Sequence, residues 1–352
     1  MDKDGTLLTK EDAIRNHVFE YHRDLKQDDP EMISNDRDHW KGKCTKRVEH
    51  ELSNINEIPA WREVLLAIQK MALGTAPGHS DIPVEVYKSM LKEKCHQKLA
   101  NQGVVVGNNT YVALPEDDLP ATLQTQMEHH LQRLILGIWN VEHQPEFWSR
   151  VTDKSLYKSG DLTDLWNYRG ISLIVVAMKI ATFLMANGIS DTMEMNNMLV
   201  KEQGGFQTHE EAIAQFVTLA EIVRWRQLKG NKTYVVFIDL LKAFDKVMHE
   251  ALMEKLDILG FRGRFLGLLR SIYQTSKACV QVGDQATDFY DMLVGTRRGC
   301  PLSPILFILF INDLLDYLPE GVQVPGVQTS QKCSALMFAN DIAGFVEDPD
   351  HT

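Results

Sequence analysis

Residues 336–345, Leu-Met-Phe-Ala-Asn-Asp-Ile-Ala-Gly-Phe, form an apolar run that is broken by one polar pair and then resumed. That pattern predicts a β-hairpin with the carboxylate of Asp341 at its tip. Residues 233–239, Thr-Tyr-Val-Val-Phe-Ile-Asp, are a β-branched and aromatic run that also ends in an acid, and helix-forming residues follow. Asp239 stands 101 positions before Asn340. The two acidic loci meet only if the fold brings their strands together.

The rest of the chain reads as helices with a few strands. From about residue 12 to 56 the chain is polar and charged, with Lys41, Lys43, Lys46 and Arg47 close together and no sustained apolar period. It predicts a linker or a loosely packed lead-in. Val64, Leu65, Ile68 and Met71 have helical spacing over residues 61–72, ending at Gly74 with Pro77 and Gly78 beyond. Residues 84–99 and 122–139 read as further helices, separated by a break from Gly103 to Gly107 with Asn108 and Asn109. Residues 278–282, a turn at Gly283 and Asp284, and residues 289–294 predict a second hairpin, and residues 303–318 a buried helix entered after Pro301. Strands mixed with helices, without strict βαβ alternation, indicate the α+β class. Three segments follow: a lead-in over 1–55, a mostly helical region over 56–230, and an acid-bearing strand region over 231–352.

Composition excludes several classes. A chain of 352 residues, 44% hydrophobic and 24% charged, is globular and buries a core. A net charge of −11 argues against binding nucleic acid by bulk electrostatics, so any such site must be a local basic groove. Cys44, Cys95, Cys279, Cys300 and Cys333 are widely spaced and contain no C-x-x-C pair, which suggests neither a disulfide framework nor zinc. A reducing, intracellular setting in nucleus or cytoplasm is the expectation, since no apolar signal follows the charged first residues. Residues 171–189 are long enough to span a bilayer, but Lys179 and Asn187 interrupt them. A buried helix is the better reading, and no membrane partner is expected.

Carboxylates carried by separate strands suit phosphoryl transfer, in which divalent cations bridge them, activate an attacking oxygen and neutralise phosphate charge. Mg²⁺ prefers a few carboxylates plus water and substrate oxygens. Each locus alone also has a structural reading. Asp239 at a strand-to-helix junction suits a helix N-cap, and Asn340 with Asp341 suits a type I′-like turn.

Six ordered blocks shift the balance. Residues 74–83, Gly-Thr-Ala-Pro-Gly-His-Ser-Asp-Ile-Pro, come first; residues 157–161 and 167–173, Tyr-Lys-Ser-Gly-Asp and Asn-Tyr-Arg-Gly-Ile-Ser-Leu, follow. Residues 205–207, Gly-Phe-Gln, precede residues 237–247, Phe-Ile-Asp-Leu-Leu-Lys-Ala-Phe-Asp-Lys-Val. Residues 295–304, Gly-Thr-Arg-Arg-Gly-Cys-Pro-Leu-Ser-Pro, and residues 338–341, Phe-Ala-Asn-Asp, complete the series. Together they resemble the reverse transcriptase of non-LTR retrotransposons, the long-interspersed-element type, over roughly residues 56–352. The 167–173 and 295–304 blocks are more similar to that form than to a group II intron maturase.

The resemblance implies a right-hand polymerase, with helical fingers over 56–230 and a partial palm with an antiparallel sheet over 231–352. It implies RNA-directed DNA synthesis with an RNA template, a DNA primer, a deoxynucleotide and two Mg²⁺ ions. Asp239 matches a metal ligand, Asn340 stands where the first hairpin aspartate is usual, and Asp341 matches the second. Phe244 matches the aromatic that excludes a ribose 2′-OH, and Arg169, with Lys158 as a weaker candidate, matches the triphosphate clamp. Arg297, Gly299, Pro301 and Ser303 match the loop against template and primer.

Departures qualify the chemistry. Asn340 removes a full negative charge from a site that holds dications, so loss of most activity is expected. Arg298 replaces the usual glutamine, and Thr75 with residues 79–81 alters the amino-terminal loop. The chain runs eleven residues past Asp341, which leads to the expectation of a fragment truncated after this motif, thumb absent, with an exposed apolar surface. The competing functional expectation is a catalytically inactive remnant or a nucleic-acid-binding or interaction module. No feature indicates an oligomeric state.

Overall fold

A computed structural model of the chain describes residues 7–27, 40, 52–91, 119, 125–207, 210–324 and 332–347. The helix Val176–Met195 lies at the centre of the packing. Its buried residues, among them Val176, Met178, Ile180, Ala181, Leu184, Met185 and Ile189, cover most of its circumference instead of one stripe. That is the composition of a helix surrounded by protein, and each fully buried Ile, Leu or Met contributes about 1.5–3 kcal/mol. Lys179, the charge that interrupts the run, donates from Nζ to the Ala76 carbonyl at 3.2 Å. No helix among the described residues is long and apolar enough to cross a membrane.

Two expected helices lie near this centre. Trp61–Lys70 buries Trp61, Val64, Leu65, Ala67 and Ile68 against it. Gln126–Val141 opens on a capping box, in which Thr125 Oγ1 accepts from Glu128 N at 3.2 Å and Glu128 Oε2 accepts from Thr125 N at 2.8 Å. Residues 84–91 are helical, whereas 92–99, the break at 103–107, residues 122–124 and the cluster of Lys41, Lys43, Lys46 and Arg47 lie outside the described residues.

The strands, in chain order, are β1 Arg150–Tyr157, β2 Tyr168–Leu173, β3 Tyr234–Asp239, β4 Lys277–Val282, β5 Gln285–Ala286, β6 Tyr290–Asp291, β7 Val322–Gln323, β8 Lys332–Cys333, β9 Ala335–Phe338 and β10 Asp341–Val346. One sheet has the order β2-β1-β4-β5, with β6 also on β4; a second is β3-β10-β9; β7 and β8 pair alone. The class is α+β.

Three expectations are corrected and one gains an addition. The antiparallel expectation describes β3-β10-β9, but the larger sheet is mixed, because β1 and β4 run parallel from Arg150↔Lys277 to Lys154↔Gln281. Among its described residues the region over 56–230 is mostly helical, and it also carries the antiparallel hairpin of β1 and β2. The helix expected over 303–318 is Ser303–Phe310 followed by a 3₁₀ turn at Leu314–Tyr317. Asn312 breaks it by accepting from Val200 N at 3.0 Å and donating to the Met198 carbonyl at 2.9 Å.

The third correction concerns the lead-in. Residues Glu11–Leu25 form a helix that buries Val18 and His22 and packs on β4, with Lys26 buried just beyond it. One apolar cluster runs from Val18 to Ile311, across the boundaries drawn at residues 55 and 230.

Candidate active site

β3 and β10 pair from Asp341↔Asp239 to Val346↔Tyr234, which puts the two acids directly opposite each other at the end of both strands. Opposed residues of an antiparallel pair have Cβ atoms about 4.5–5.5 Å apart, so the carboxylates share one locality. Both side chains are exposed. They border a cavity of about 260 Å³ whose walls include Phe216, Phe237 and Met337. Apolar walls concentrate the field of the two charges.

Asp341 also pairs with Phe338 of β9, leaving Ala339 and Asn340 as a two-residue loop. Ala339 has φ 56° and Asn340 is not left-handed, so the turn is not the type I′ form, in which both loop residues would be. Asn340 Nδ2 donates to Asp239 Oδ1 at 2.9 Å, and its carbonyl accepts from Leu240 N at 3.4 Å. Asp239 caps no α-helix: a 3₁₀ turn, Ala243–Lys246, intervenes before the helix His249–Ile258.

Below this lies a charge cluster that the sequence did not reveal. Asp245, 6% exposed, receives Lys26 Nζ on Oδ1 at 2.6 Å and Arg298 on Oδ2 at 2.6 Å. Burial raises the Asp245 carboxyl, but Lys26 and Arg298 outweigh it and hold the group below the usual range. The guanidinium of Arg298 also lies 5.8 Å from the Phe244 ring centroid. The departure from glutamine thus supplies a second cation to a buried acid. Beside it, Tyr21 is raised to about 12, by burial first and then by the nearby charge of Asp245.

Phe244 stacks on Phe307 at 4.5 Å and meets Phe206 edge-on at 6.3 Å, while its carbonyl accepts from Thr296 N at 2.7 Å. Arg169 and Lys158 are exposed at the end of the β1 and β2 hairpin. Lys242, at φ 52°, ties that end to the residues after β3 by donating to the Tyr168 carbonyl at 3.2 Å, with its ammonium 5.4 Å from the Trp166 ring. Burial lowers the Lys242 ammonium; Arg298, Lys158 and Lys26 act in the same sense, against Asp245. The four cations share one neighbourhood.

Two residues of the expected template loop face inward. Arg297, 1% exposed, donates to the Ile272 carbonyl at 2.8 Å and to Ser276 Oγ at 3.2 Å, with Nη1 3.0 Å from Met178 Sδ. Ser303, also 1% exposed, donates to the Arg297 carbonyl at 2.8 Å. A guanidinium leaves water only where such partners exist, and these contacts let Arg297 brace the loop from within. Pro301 is half-buried. Gly299, at φ 101°, lies where a Cβ would meet the Ser172 carbonyl at 3.1 Å, and Ser172 N donates to the Arg298 carbonyl at 2.7 Å.

The donor set suits a hard cation in part. Asp239 and Asp341 with solvent and ligand oxygens fit one dication. A second dication needs charge that Asn340 lacks, and no group of three or more His, Cys, Asp or Glu among the described residues could hold a metal.

A family profile described as reverse transcriptase (RNA-dependent DNA polymerase) matches residues 157–352, more than half of the chain. The chain belongs to the reverse transcriptase family. Its relatives are non-LTR retrotransposon polymerases. A Pol polyprotein from the type-1 retrotransposable element R2 of Popillia japonica is 29% identical over 140 residues, 39% of this chain and 23% of that protein. A probable RNA-directed DNA polymerase from transposon BS of Drosophila melanogaster is 29% identical over 188 residues, covering 53% and 20%. The polymerase from the mobile element jockey of the same fly is 26% identical over 214 residues, covering 58% and 23%. The chain spans 20–23% of the length of these relatives. The matched span contains β3, the β9 and β10 hairpin, Asp245 and Arg298, whereas Lys26 and Tyr21 lie before it.

Proposed function

We propose that this reverse transcriptase family member carries the nucleotidyl-transfer site of an RNA-directed DNA polymerase, weakened at one metal position. The pairing of Asp239 with Asp341 carries the reading. Asp239 and Asp341 would hold a divalent cation, and such an ion, when bound, neutralises phosphate charge and favours the ionised form of an attacking primer hydroxyl. Phe244, backed by Phe307, forms a flat apolar floor where a deoxyribose packs and an extra 2′-OH meets the ring. Arg169 and Lys158 present exposed cationic ends toward a triphosphate, and Lys242 anchors the hairpin that carries them. The backbone of residues 295–304 lies against template and primer, fixed from behind by Arg297 and Ser303. On this reading residues 56–230 and 231–352 correspond to fingers and part of a palm.

Asn340 sets the level of activity. Its amide donates to Asp239 and brings no charge, so the site binds cations less strongly than three carboxylates would. The same observation favours a second reading, a chain that binds template and primer without extending them. Primer extension on an RNA template with Mg²⁺ or Mn²⁺ separates the two, run on the unaltered chain, Asn340→Asp and Asp239→Asn, with template-primer anisotropy alongside. The polymerase reading expects extension to rise in Asn340→Asp and vanish in Asp239→Asn while binding persists. Binding without extension in every variant selects the second reading, and absence of binding at moderate salt removes both.

A further inference from the structure

We infer that Gln203 is a positioning residue for the acid-bearing hairpin, holding Ala339 in its left-handed conformation and so fixing Asn340 and Asp341 opposite Asp239. The inference rests on the reading of Asp239 and Asp341 as cation ligands. Alanine at φ 56° lies in a region that costs an L-residue about 1–2 kcal/mol, and such a conformation persists only where its surroundings impose it. One side chain imposes it here. Gln203 Oε1 accepts from Ala339 N at 2.9 Å and Gln203 Nε2 donates to the Ala339 carbonyl at 3.3 Å. Both main-chain groups of the strained residue go to a single amide that is 1% exposed.

The backbone around Gln203 keeps that amide in place. Met337 N donates to the Glu202 carbonyl at 2.8 Å and Gly204 N donates to the Met337 carbonyl at 2.9 Å, so Gln203 makes a parallel bridge beside β9. Gln203 Oε1 also accepts from Gly205 N at 2.8 Å. A Cβ on Gly205 would stand 2.2 Å from Ala339 N, so only glycine lets the two segments close. The next residue, Phe206, is itself left-handed at φ 57° and carries the ring that meets Phe244. One turn therefore joins the carboxylate end of the site to its aromatic floor. An apolar side chain of equal volume would leave two buried main-chain groups of Ala339 without partners.

The test is amide hydrogen exchange with divalent-ion binding on the full chain. In Gln203→Ala the Ala339 amide exchanges about tenfold faster or more, while the Phe345 amide, bonded to the Ser334 carbonyl at the far end of β10, keeps its rate. Gln203→Glu keeps the contacts from the Ala339 and Gly205 amides but sets an oxygen against the Ala339 carbonyl, so its Ala339 amide exchanges at a rate between those of the unaltered chain and Gln203→Ala. Ala339→Gly, which takes positive φ without strain, restores much of the lost order in the Gln203→Ala background. In an Asn340→Asp background, Mn²⁺ binding weakens about tenfold with Gln203→Ala and recovers with Ala339→Gly. Unchanged Ala339 exchange, equal acceleration at Phe345, or unfolding of both Gln203 variants overturns the inference. If Asp239→Asn leaves Mn²⁺ affinity unaltered, the cation reading fails instead, and the exchange data still judge the clamp.

Discussion

Replacing Asn340 by aspartate changes the sign of one short contact, and its consequence depends on metal. The Asn340 amide donates to Asp239 Oδ1 at 2.9 Å. Asn340→Asp removes that bond, worth about 1 kcal/mol, and sets two carboxylates against each other. Both side chains reach solvent, so the repulsion is taken at the dielectric of water, about 1 kcal/mol at ~4 Å. Without metal the variant is less stable by roughly 2 kcal/mol, a fall of about 3 °C in Tm for a chain of this size. With a dication the same charge attracts about twice as strongly as it repelled, roughly 2 kcal/mol, or about 30-fold in affinity. Calorimetric titration with Mg²⁺ or Mn²⁺ reads the affinity, and thermal unfolding with chelator and with saturating metal reads the crossover. A folded variant whose affinity stays within about threefold of the unaltered chain, or whose metal-free Tm does not fall, refutes the reasoning.

Two further outcomes concern the groups beneath the site. Lys26→Met takes one of two cations from the buried Asp245 and should cost about 3 kcal/mol in urea unfolding, with Asp245→Leu added to it recovering part; a single-variant cost below about 1 kcal/mol would remove the cluster's stabilising role. Burial holds His249, which lies 2.8 Å from the Gly295 carbonyl, down at about 4 from 6.5. The unfolded chain therefore takes a proton below 6.5 that the folded chain refuses until about 4, so stability falls as pH drops through that window, by on the order of 3 kcal/mol in total. His22, also lowered by burial, acts in the same direction. His249→Gln should flatten the slope between pH 6.5 and 4, and a variant with the original slope would exclude His249 as its source.

The parts of the site legible in the sequence are those built from local pattern. A β-branched run ending in Asp239 and an apolar run around Asn340 and Asp341 give strands and a tip because the signal lies within ten residues. The pairing of the two acids was open to inference but not its register, which is fixed by the sheet. Gln203 was out of reach because its partner Ala339 lies 136 positions away and a lone glutamine carries no pattern. Helix Glu11–Leu25 has the pattern of a lead-in because it buries a narrow strip, Val18 and His22, and is otherwise polar. The bracing contacts of Arg297 are equally out of reach of local pattern, because its carbonyl and hydroxyl partners come from residues 272 and 276.

The parallel ladder between β1 and β4 also governs how the chain acquires its structure. Val151 pairs with Ala278, 127 positions later, and Lys26 meets Asp245 across 219. Such contacts give the protein a high contact order, and closing a loop of ~127 residues costs roughly 4 kcal/mol of chain entropy before any pairing rewards it. During synthesis β1 and β2 emerge without their later neighbour β4, and the apolar helix Val176–Met195 emerges lacking part of its cover. Folding must wait for residues beyond about 280, and until then this segment depends on whatever shields apolar surface in the cell.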